Sequence, residues 1–185
     1  MSITKLNHKT LKAARPTLEE LKTQKPFPIV VIAENIRSLY NVGSIFRTSD
    51  GAYIEKLYLC GYTGYPPRKE IDKTALGSVE SVNWEYCQNP QDVVAKLKEK
   101  NYTVIALEHT DASKAYTEIT YDFPVCIIIG NEVEGVSKEL LQTVDQAIEI
   151  PMYGLKQSLN VAVAYGVVVY HIVQTAFSLQ PSANS

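Results

Sequence analysis

Short apolar runs, separated by polar segments, set the hydrophobic pattern of this chain. Residues 29–33 read Ile-Val-Val-Ile-Ala and residues 125–129 read Val-Cys-Ile-Ile-Ile, with no charged position inside either run. Unbroken runs of this length are typical of strands covered on both faces of a sheet. Further strand-like runs are predicted at residues 54–60, 102–107 and 146–150, with a shorter strand within 79–86.

Helix signals stand between these runs. Residues 4–15 predict a short helix that Pro16 ends, and the stretch from Thr17 to Glu20 has the sequence of a capping box that opens a second one. Further helices are predicted at residues 41–51, 89–100 and 137–144, while residues 61–73 predict a loop. Strands that alternate with helices predict an α/β fold with a mostly parallel sheet and helices on both faces.

The longest apolar run covers residues 161–173 and predicts a buried helix. Because the run is apolar on every side, it does not fit a helix with one solvated face. At about 15 residues it is shorter than the roughly 20 that span a bilayer, so we expect no membrane insertion. We expect its own domain to cover one side and a second subunit, in a homodimer, to cover the other.

Composition places the chain among ordinary globular proteins. Its 185 residues are 45% hydrophobic and 21% charged, which favours one soluble domain. No apolar segment follows the opening Met-Ser-Ile-Thr-Lys, so we expect a cytoplasmic protein without a secretory signal. Cys60, Cys87 and Cys126 are widely spaced and form no C-x-x-C pair, which argues against a disulfide framework and against a metal site.

Charge is unevenly distributed along the chain. Residues 1–28 carry six basic and two acidic side chains, a balance of +4, so the net charge of −2 leaves −6 on the remainder. A basic arm on an acidic body suits a polyanionic partner such as RNA. A solvated pair of terminal helices explains the same charges equally well.

Three strand ends carry unusually polar loops. Loops rich in Asn, Gly, Arg, Glu and Ser follow the predicted strands that end at residues 33, 129 and 150. In open α/β sheets, ligands bind outside the carboxyl ends of the strands. The chain has neither a G-x-x-x-x-G-K-[ST] phosphate loop nor a G-x-G-x-x-G dinucleotide fingerprint. The three loops therefore predict a ligand site of another kind.

The first of these loops has two candidate functional side chains. Asn41 is predicted to cap a helix that Gly51 ends. Gly43 lies one helical turn before Arg47, on the same face, and is predicted to leave a slot through which a substrate backbone reaches the guanidinium. A plain helix cap and a surface salt bridge are the alternatives for Asn41 and Arg47.

Together the three loops resemble the motifs of the SpoU (TrmH-like) RNA ribose 2′-O-methyltransferases, of the SPOUT superfamily. The matching residues are Asn41-x-Gly43-x-x-x-Arg47, Gly130-Asn131-Glu132-x-x-Gly135, and Ile150-Pro151-Met152 followed by Ser158-Leu159-Asn160-Val161. The resemblance covers about residues 28–175. It implies a C-terminal trefoil knot, S-adenosylmethionine held in that knot, no metal, and a homodimer with the active site at the subunit interface.

The resemblance also assigns roles to individual residues. Arg47 is implied as the catalytic residue, arranged together with the substrate by Asn41, Glu132, Ser158 and Asn160. The residues implied to hold the cofactor are Ile129, Gly130, Asn131, Ile150, Met152, Ser158 and Leu159. Since a guanidinium is a poor base, we expect Arg47 to hold a phosphate or stabilise an alkoxide.

RNA binding is expected from the basic arm and from one loop. The predicted contacts are Lys9, Lys12, Arg15, Arg68 and Lys69, with the tyrosines at 62 and 65 available for stacking. We expect tRNA as the substrate before rRNA. A base methyltransferase and a non-catalytic RNA-binding dimer are the alternatives. The expected division is residues 1–27 as a basic extension, 28–178 as the methyltransferase domain and 179–185 as a tail.

Overall fold

The computed structural model describes residues 3–179, apart from the side chains of His8, Lys12, Lys22 and Leu179. The strands are β1 (Phe27–Glu34), β2 (Ile54–Cys60), β3 (Trp84–Cys87), β4 (Thr103–Leu107), β5 (Lys114–Ala115), β6 (Val125–Ile129) and β7 (Gln146–Glu149). The helices are α1 (His8–Ala13), α2 (Leu18–Thr23), α3 (Leu39–Gly51), α4 (Lys69–Ala75), α5 (Pro90–Glu99), α6 (Lys138–Leu141) and α7 (Val161–Leu179).

The seven strands form one sheet in the order β3-β2-β1-β6-β4-β7-β5. Every strand pair in it is parallel. The carboxyl ends of β1, β6, β4 and β7 therefore lie side by side at one edge. The predicted α/β fold is confirmed, and the loops after these strands meet where a ligand site was expected.

Helices cover both faces of the sheet. In β1, Val31 faces a core that includes α3, α4 and α7 side chains, whereas the neighbouring Val30 and Ile32 face a second core that includes α5 and α6 side chains. Burial on both faces explains why β1 and β6 have no polar alternation, since every side chain of such a strand leaves water.

The basic arm docks through its second helix. Thr17 and Glu20 form the predicted capping box, with Thr17 accepting from the Glu20 N–H and Glu20 accepting from the Thr17 N–H at 2.7 Å. The Tyr53 hydroxyl donates to the carbonyls of Leu21 and Gln24 at 2.6 and 2.9 Å. β1 then begins at Phe27, next to the boundary expected at residue 28, and residues 180–185 of the expected tail lie outside the described part.

Helix α7 is longer than the sequence predicted. It has 19 residues, and it is the one helix among residues 3–179 that is long and apolar enough to cross a bilayer. The predicted length was therefore wrong, because the helix continues past residue 173 through Gln174 and Thr175 to Leu179. Tyr165, Val168 and Ile172 are fully buried in the core beside α3, which identifies α7 as part of the folded domain.

Other predicted bounds were also corrected. Residues 79–86 form a turn and then β3, which begins only at Trp84, and the helix expected at 137–144 ends at Leu141. The predicted loop 61–73 contains the start of α4, because Lys69 and the residues after it bury Ile71 against α3. The trefoil knot stays a prediction.

Candidate functional site

The carboxyl ends of β4, β6 and β7 border a cleft of about 160 Å³. Its lining includes all seven residues predicted to hold the cofactor, namely Ile129, Gly130, Asn131, Ile150, Met152, Ser158 and Leu159. The first three follow or end β6, and the other four lie between β7 and α7. The structure therefore brings residues of the second and third motifs together in one place.

Asn41, Glu132 and Asn160 join all three motifs in one hydrogen-bonded network. Asn41 donates from its side-chain amide to Oε1 of Glu132 at 2.7 Å, and Asn160 donates to the Asn41 side-chain oxygen at 3.1 Å. Asn160 also accepts from the backbone N–H of Ala162 at 3.0 Å, so it caps α7. These contacts fix the start of α3, the loop after β6 and the start of α7 relative to one another.

Glu132 acts as an acceptor for the start of α3. Besides Asn41, its carboxylate accepts the backbone N–H groups of Arg37 at 2.9 Å and Ser38 at 3.0 Å. Partial burial raises the pKa of Glu132, but hydrogen bonds from Arg37, Ser38 and Asn41 outweigh it, and the net pKa is lowered. With its oxygens occupied by donors, Glu132 arranges the site as an ionised carboxylate.

Asn41 does not cap α3, contrary to the prediction. The helix begins at Leu39, Ser38 is the capping residue, and Ser38 Oγ accepts the Asn41 N–H at 3.4 Å. Asn41 lies within the first turn, where its side chain is available for Glu132. Ser38 is favoured as the cap because the chain is extended there, whereas Asn41 is already helical.

Asn131 shapes its own loop with its side chain. Its Oδ1 accepts the N–H groups of Val133 and Glu134 at 2.8 and 2.9 Å. Its Nδ2 donates to the Asn35 carbonyl at 2.9 Å and to the Tyr62 hydroxyl at 2.6 Å. Since its side-chain atoms are engaged within the protein, Asn131 shapes the wall of the cleft rather than offering that side chain to a ligand.

The cleft suits S-adenosylmethionine in the polarity and the charge of its lining. Ile129, Ile150 and Leu159 give it apolar walls for an adenine ring, while Glu108 and Glu149 add carboxylates. No lysine or arginine belongs to its lining among the described residues. A negatively charged cleft matches the positive sulfonium and ammonium groups of this cofactor.

Sequence reasoning missed the contribution of β4 to the cleft. Leu107, Glu108 and His109 line it, and His109 Nδ1 lies 3.3 Å from Oε2 of Glu149. Hydrogen bonds from Ser113 and then His109 lower the pKa of the Glu149 carboxyl. The signal was the polar pair Glu108-His109 directly after a buried strand, a weaker pattern than the glycine-rich loops.

Arg47 lies away from the cleft of its own chain. Its side chain is exposed, makes no hydrogen bond or ion pair within the described part of the chain, and no residue of α3 lines the cleft. Asn41 and Arg47 are six residues apart, which separates them by about 9 Å along the helix. The structure thus brings Asn41, Glu132 and Asn160 together, but not Arg47.

The predicted slot at Gly43 was wrong. Gly43 is buried, and a Cβ there would overlap Oγ1 of Thr74 and the carbonyl of Ile71. Helix α4, which the sequence did not predict, occupies this space. Glycine is needed at position 43 because two helices approach closely, and not because a substrate reaches Arg47 from that side.

The remaining predicted residues whose side chains are described are exposed on the surface. Ser158 is exposed, and no hydrogen bond of its side chain occurs among the described residues. Lys9 and Arg15 are exposed on the arm, and the Lys12 side chain lies outside the described part. Arg68 and Lys69 are exposed at the start of α4. Residues 3–179 contain no cluster of three or more His, Cys, Asp or Glu side chains suited to a metal ion.

Comparisons with known proteins point to one family. A family model described as "SpoU rRNA Methylase family" matches residues 28–170. A tRNA (guanosine(18)-2′-O)-methyltransferase of Aquifex aeolicus is 35% identical over 163 residues, which cover 88% of this chain and 74% of that protein. A similar relative in Thermus thermophilus is 31% identical, over 86% of this chain and 81% of that protein.

Solved structures agree with these relatives. The crystal structure of the A. aeolicus TrmH/SpoU tRNA modifying enzyme superimposes with a TM-score of 0.79 at 30% identity, covering 92% of this chain and 84% of that one. The AdoMet-bound rRNA methyltransferase from Sinorhizobium meliloti superimposes with a TM-score of 0.75 at 28% identity, covering 85% of this chain and 59% of that one.

Proposed function

Because this chain belongs to the SpoU rRNA methylase family and is an S-adenosylmethionine-dependent RNA 2′-O-methyltransferase, we propose that it methylates transfer RNA and does so as a homodimer. The observation that carries the proposal is the meeting of residues from all three motifs, through Asn41, Glu132 and Asn160, beside a cleft that suits the cofactor. The proposed location is cytoplasmic.

The proposed cofactor site is the cleft at the ends of β4, β6 and β7. Ile129, Ile150 and Leu159 bind the adenine ring between apolar surfaces, and the backbone at Gly130 and Met152 supplies polar groups. S-adenosylmethionine supplies a methyl group that its sulfonium already activates. The protein then mainly has to align the two reactants, which is where a fixed geometry contributes most.

Arg47 is proposed to act on the RNA. A guanidinium stays charged in proteins and carries five donors, so it suits a phosphate or a developing alkoxide rather than proton abstraction. Its exposed side chain, without a partner in the described part of its own chain, is available for that contact. Stabilisation of the negative charge that develops in the transition state usually contributes more to the rate than proton abstraction does.

The homodimer is supported by the outer face of α7. Val163, Val167, Tyr170 and Phe177 recur on this face and are exposed, with Val163 53% exposed and Tyr170 48% exposed. The Tyr170 hydroxyl lies beside Gly51 at the end of α3, so this apolar face adjoins the helix that carries Arg47. A second copy seated there would cover the apolar side chains and bring its cleft to Arg47.

Transfer RNA is proposed as the substrate because the two curated relatives described above are named as tRNA methyltransferases. Contacts to RNA are proposed from Lys9, Arg15, Arg68 and Lys69, which are exposed. Tyr62 and Tyr65 precede Arg68 in the same loop, are exposed, and offer surfaces for base stacking. Neither a metal nor a membrane has a part in this proposal.

Nucleoside analysis tests the proposed function. The full chain is incubated with S-adenosylmethionine and, separately, with unmodified tRNA and with rRNA, and each RNA is digested to nucleosides. We expect a 2′-O-methylated nucleoside from tRNA. A methylated base would favour base methylation instead, a product from rRNA alone would contradict the tRNA assignment, and cofactor binding without any product would favour a non-catalytic RNA-binding dimer.

A further inference from the structure

Two carboxylates hold the wall of the cofactor cleft from outside the three motifs. The wall is formed by residues 130–137, here named the β6–α6 loop. Val136 donates its backbone N–H to Oε2 of Glu108 at 2.8 Å. The next residue, Ser137, donates its N–H to Oε2 of Glu34 at 2.9 Å and its hydroxyl to Oε1 at 2.6 Å. Consecutive N–H groups of the loop are thus held by two different side chains.

These carboxylates reach the loop from opposite sides. Glu34 is the last residue of β1, and Glu108 directly follows β4. In the sheet, β6 lies between β1 and β4. The β6–α6 loop is therefore hydrogen-bonded to side chains at the ends of both neighbouring strands, at the edge of the sheet where the cofactor cleft lies.

Both carboxylates are engaged with the protein. Glu34 is only 3% exposed and does not line the cleft. Glu108 lines the cleft, but its Oε1 accepts the His109 N–H at 2.9 Å and its Oε2 accepts the Val136 N–H. Glu34 therefore acts on a ligand only through the loop, whereas Glu108 also adds its charge to the cleft, so hydrogen exchange at residues 136 and 137 is the readout that tests its positioning role.

The loop has little freedom to move without changing the cleft. A Cβ on Gly130 would overlap the backbone of Gly135 and Val136, so the two ends of the loop are in direct contact. A Cβ on Gly135, which has a φ of +71°, would overlap the Glu108 carboxylate. A shift of Val136 therefore shifts Gly130, which lines the cleft.

We propose that Glu34 and Glu108 are positioning residues for S-adenosylmethionine: they hold the β6–α6 loop in the shape that binds the cofactor. This inference rests on the proposed assignment of the cleft to the cofactor. Glutamine at position 108 puts an NH₂ donor against the backbone N–H of His109 or Val136. At position 34 the Ser137 hydroxyl can accept from the new NH₂, but the charge-assisted hydrogen bonds to Ser137 become neutral ones. An unpaired donor at position 108, or weaker hydrogen bonds at position 34, then destabilises the bound shape of the loop.

The test compares Glu34→Gln and Glu108→Gln with Glu99→Gln, an exposed glutamate at the end of α5. We expect the dissociation constant for S-adenosylmethionine, from titration calorimetry, to rise about tenfold in each of the first two variants and to stay unchanged in the third. In the cofactor-free protein, amide hydrogen exchange at residues 136 and 137 should accelerate, while exchange in β2 stays constant. The turnover number of Glu34→Gln at saturating cofactor should remain within about threefold of the parent, because Glu34 does not line the cleft and Arg47 is untouched.

Two further variants keep the test decisive. If Glu34→Gln fails to fold, Ser137→Ala removes only one of the two hydrogen bonds and should still weaken cofactor binding. Leu159→Arg blocks the cleft directly: unchanged cofactor affinity in that variant would contradict the cleft assignment itself. If Leu159→Arg abolishes binding while folded Glu34 and Glu108 variants bind within twofold of the parent with unchanged exchange, only the positioning role is overturned.

Discussion

The side-chain amide of Asn160 donates a hydrogen bond to the side-chain oxygen of Asn41 at 3.1 Å, although 119 residues separate the two along the chain. The side-chain amide of Asn41 in turn donates a hydrogen bond to Oε1 of Glu132 at 2.7 Å. One residue from each motif is thus fixed relative to the others by hydrogen bonds within the protein. Such fixed geometry is what alignment of a methyl donor with a ribose hydroxyl requires.

Asn160→Ala should lower the free energy of unfolding by about 1 kcal/mol, because it removes the cap of α7 and the contact with Asn41. Urea denaturation measures this change. Asn89→Ala is the matched control, since Asn89 precedes α5 without a side-chain cap hydrogen bond and should change stability by less than about 0.5 kcal/mol. Equal losses in the two variants would contradict the role given to Asn160.

Arg47→Ala should reduce methyl transfer by roughly 100-fold or more, because charge stabilisation by one donor group is typically of that size. Cofactor affinity should stay within about threefold, since no α3 residue lines the cleft. Single-turnover transfer and cofactor titration measure the two effects. Arg47→Lys keeps the charge but loses the planar fork, and we expect partial activity. Near-normal turnover of Arg47→Ala would remove this residue from the mechanism.

The carboxylate of Glu132 should make the free energy of unfolding depend on pH. Its folded-state pKa is lowered, so the stability it contributes is fully present above the ordinary carboxyl pKa of about 4.3 and is lost as pH falls through the lower folded value. Glu132→Gln should therefore be less stable than the parent at pH 7, with a gap that narrows on acidification. Denaturation at several pH values measures this gap, and a gap of constant size would contradict the ionised role of Glu132.

Val167→Glu should convert the protein to monomers, because it places a charge in the middle of the exposed apolar face of α7. Sedimentation at micromolar concentration gives the mass, and circular dichroism verifies the fold. Thr117→Glu, an exposed position after β5, is the control and should remain dimeric. A parent protein that is already a monomer and fully active would contradict the homodimer.

Deletion of residues 1–25 should weaken RNA binding and flatten its salt dependence, because each neutralised phosphate releases counterions. Plots of log RNA affinity against log salt concentration, for the full-length and the truncated protein, measure the difference in slope. The deletion also removes Leu21 and Gln24, whose carbonyls bind the Tyr53 hydroxyl, so a modest loss of thermal stability is expected as well. Equal slopes, together with that stability loss, would mean that the arm only docks on the body.

The sequence was sufficient to predict the central strands of the sheet and the three polar loops that follow strand ends. Residues 29–33 and 125–129 could be recognised as central strands because burial on both faces leaves an unbroken apolar run. A cap at the start of α7 could be expected from the Ser and Asn that precede its apolar run, and the structure shows that Asn160 is the residue that caps it. These features are local, and local patterns are visible in one chain.

Other features depend on contacts between distant segments. Gly43 was misinterpreted because its neighbour, α4, is a short helix hidden in a loop that contains Pro66 and Pro67. The roles of Glu34 and Glu108 could not be predicted, since nothing in the sequence states that β6 lies between β1 and β4. The separation of Arg47 from the cleft likewise follows only from the packing of α3.

Mixed dimers test the central claim most directly, that Arg47 of one chain and the cofactor cleft of another together methylate a ribose. Arg47→Ala and Leu159→Arg proteins, each inactive alone, are co-expressed with different tags, and the yield of 2′-O-methylated nucleoside in tRNA is measured. A shared site restores roughly a quarter of the parental activity, because half of randomly paired dimers then hold one complete site. No activity in purified, folded mixed dimers would contradict the claim, since sites contained within single chains would all be defective.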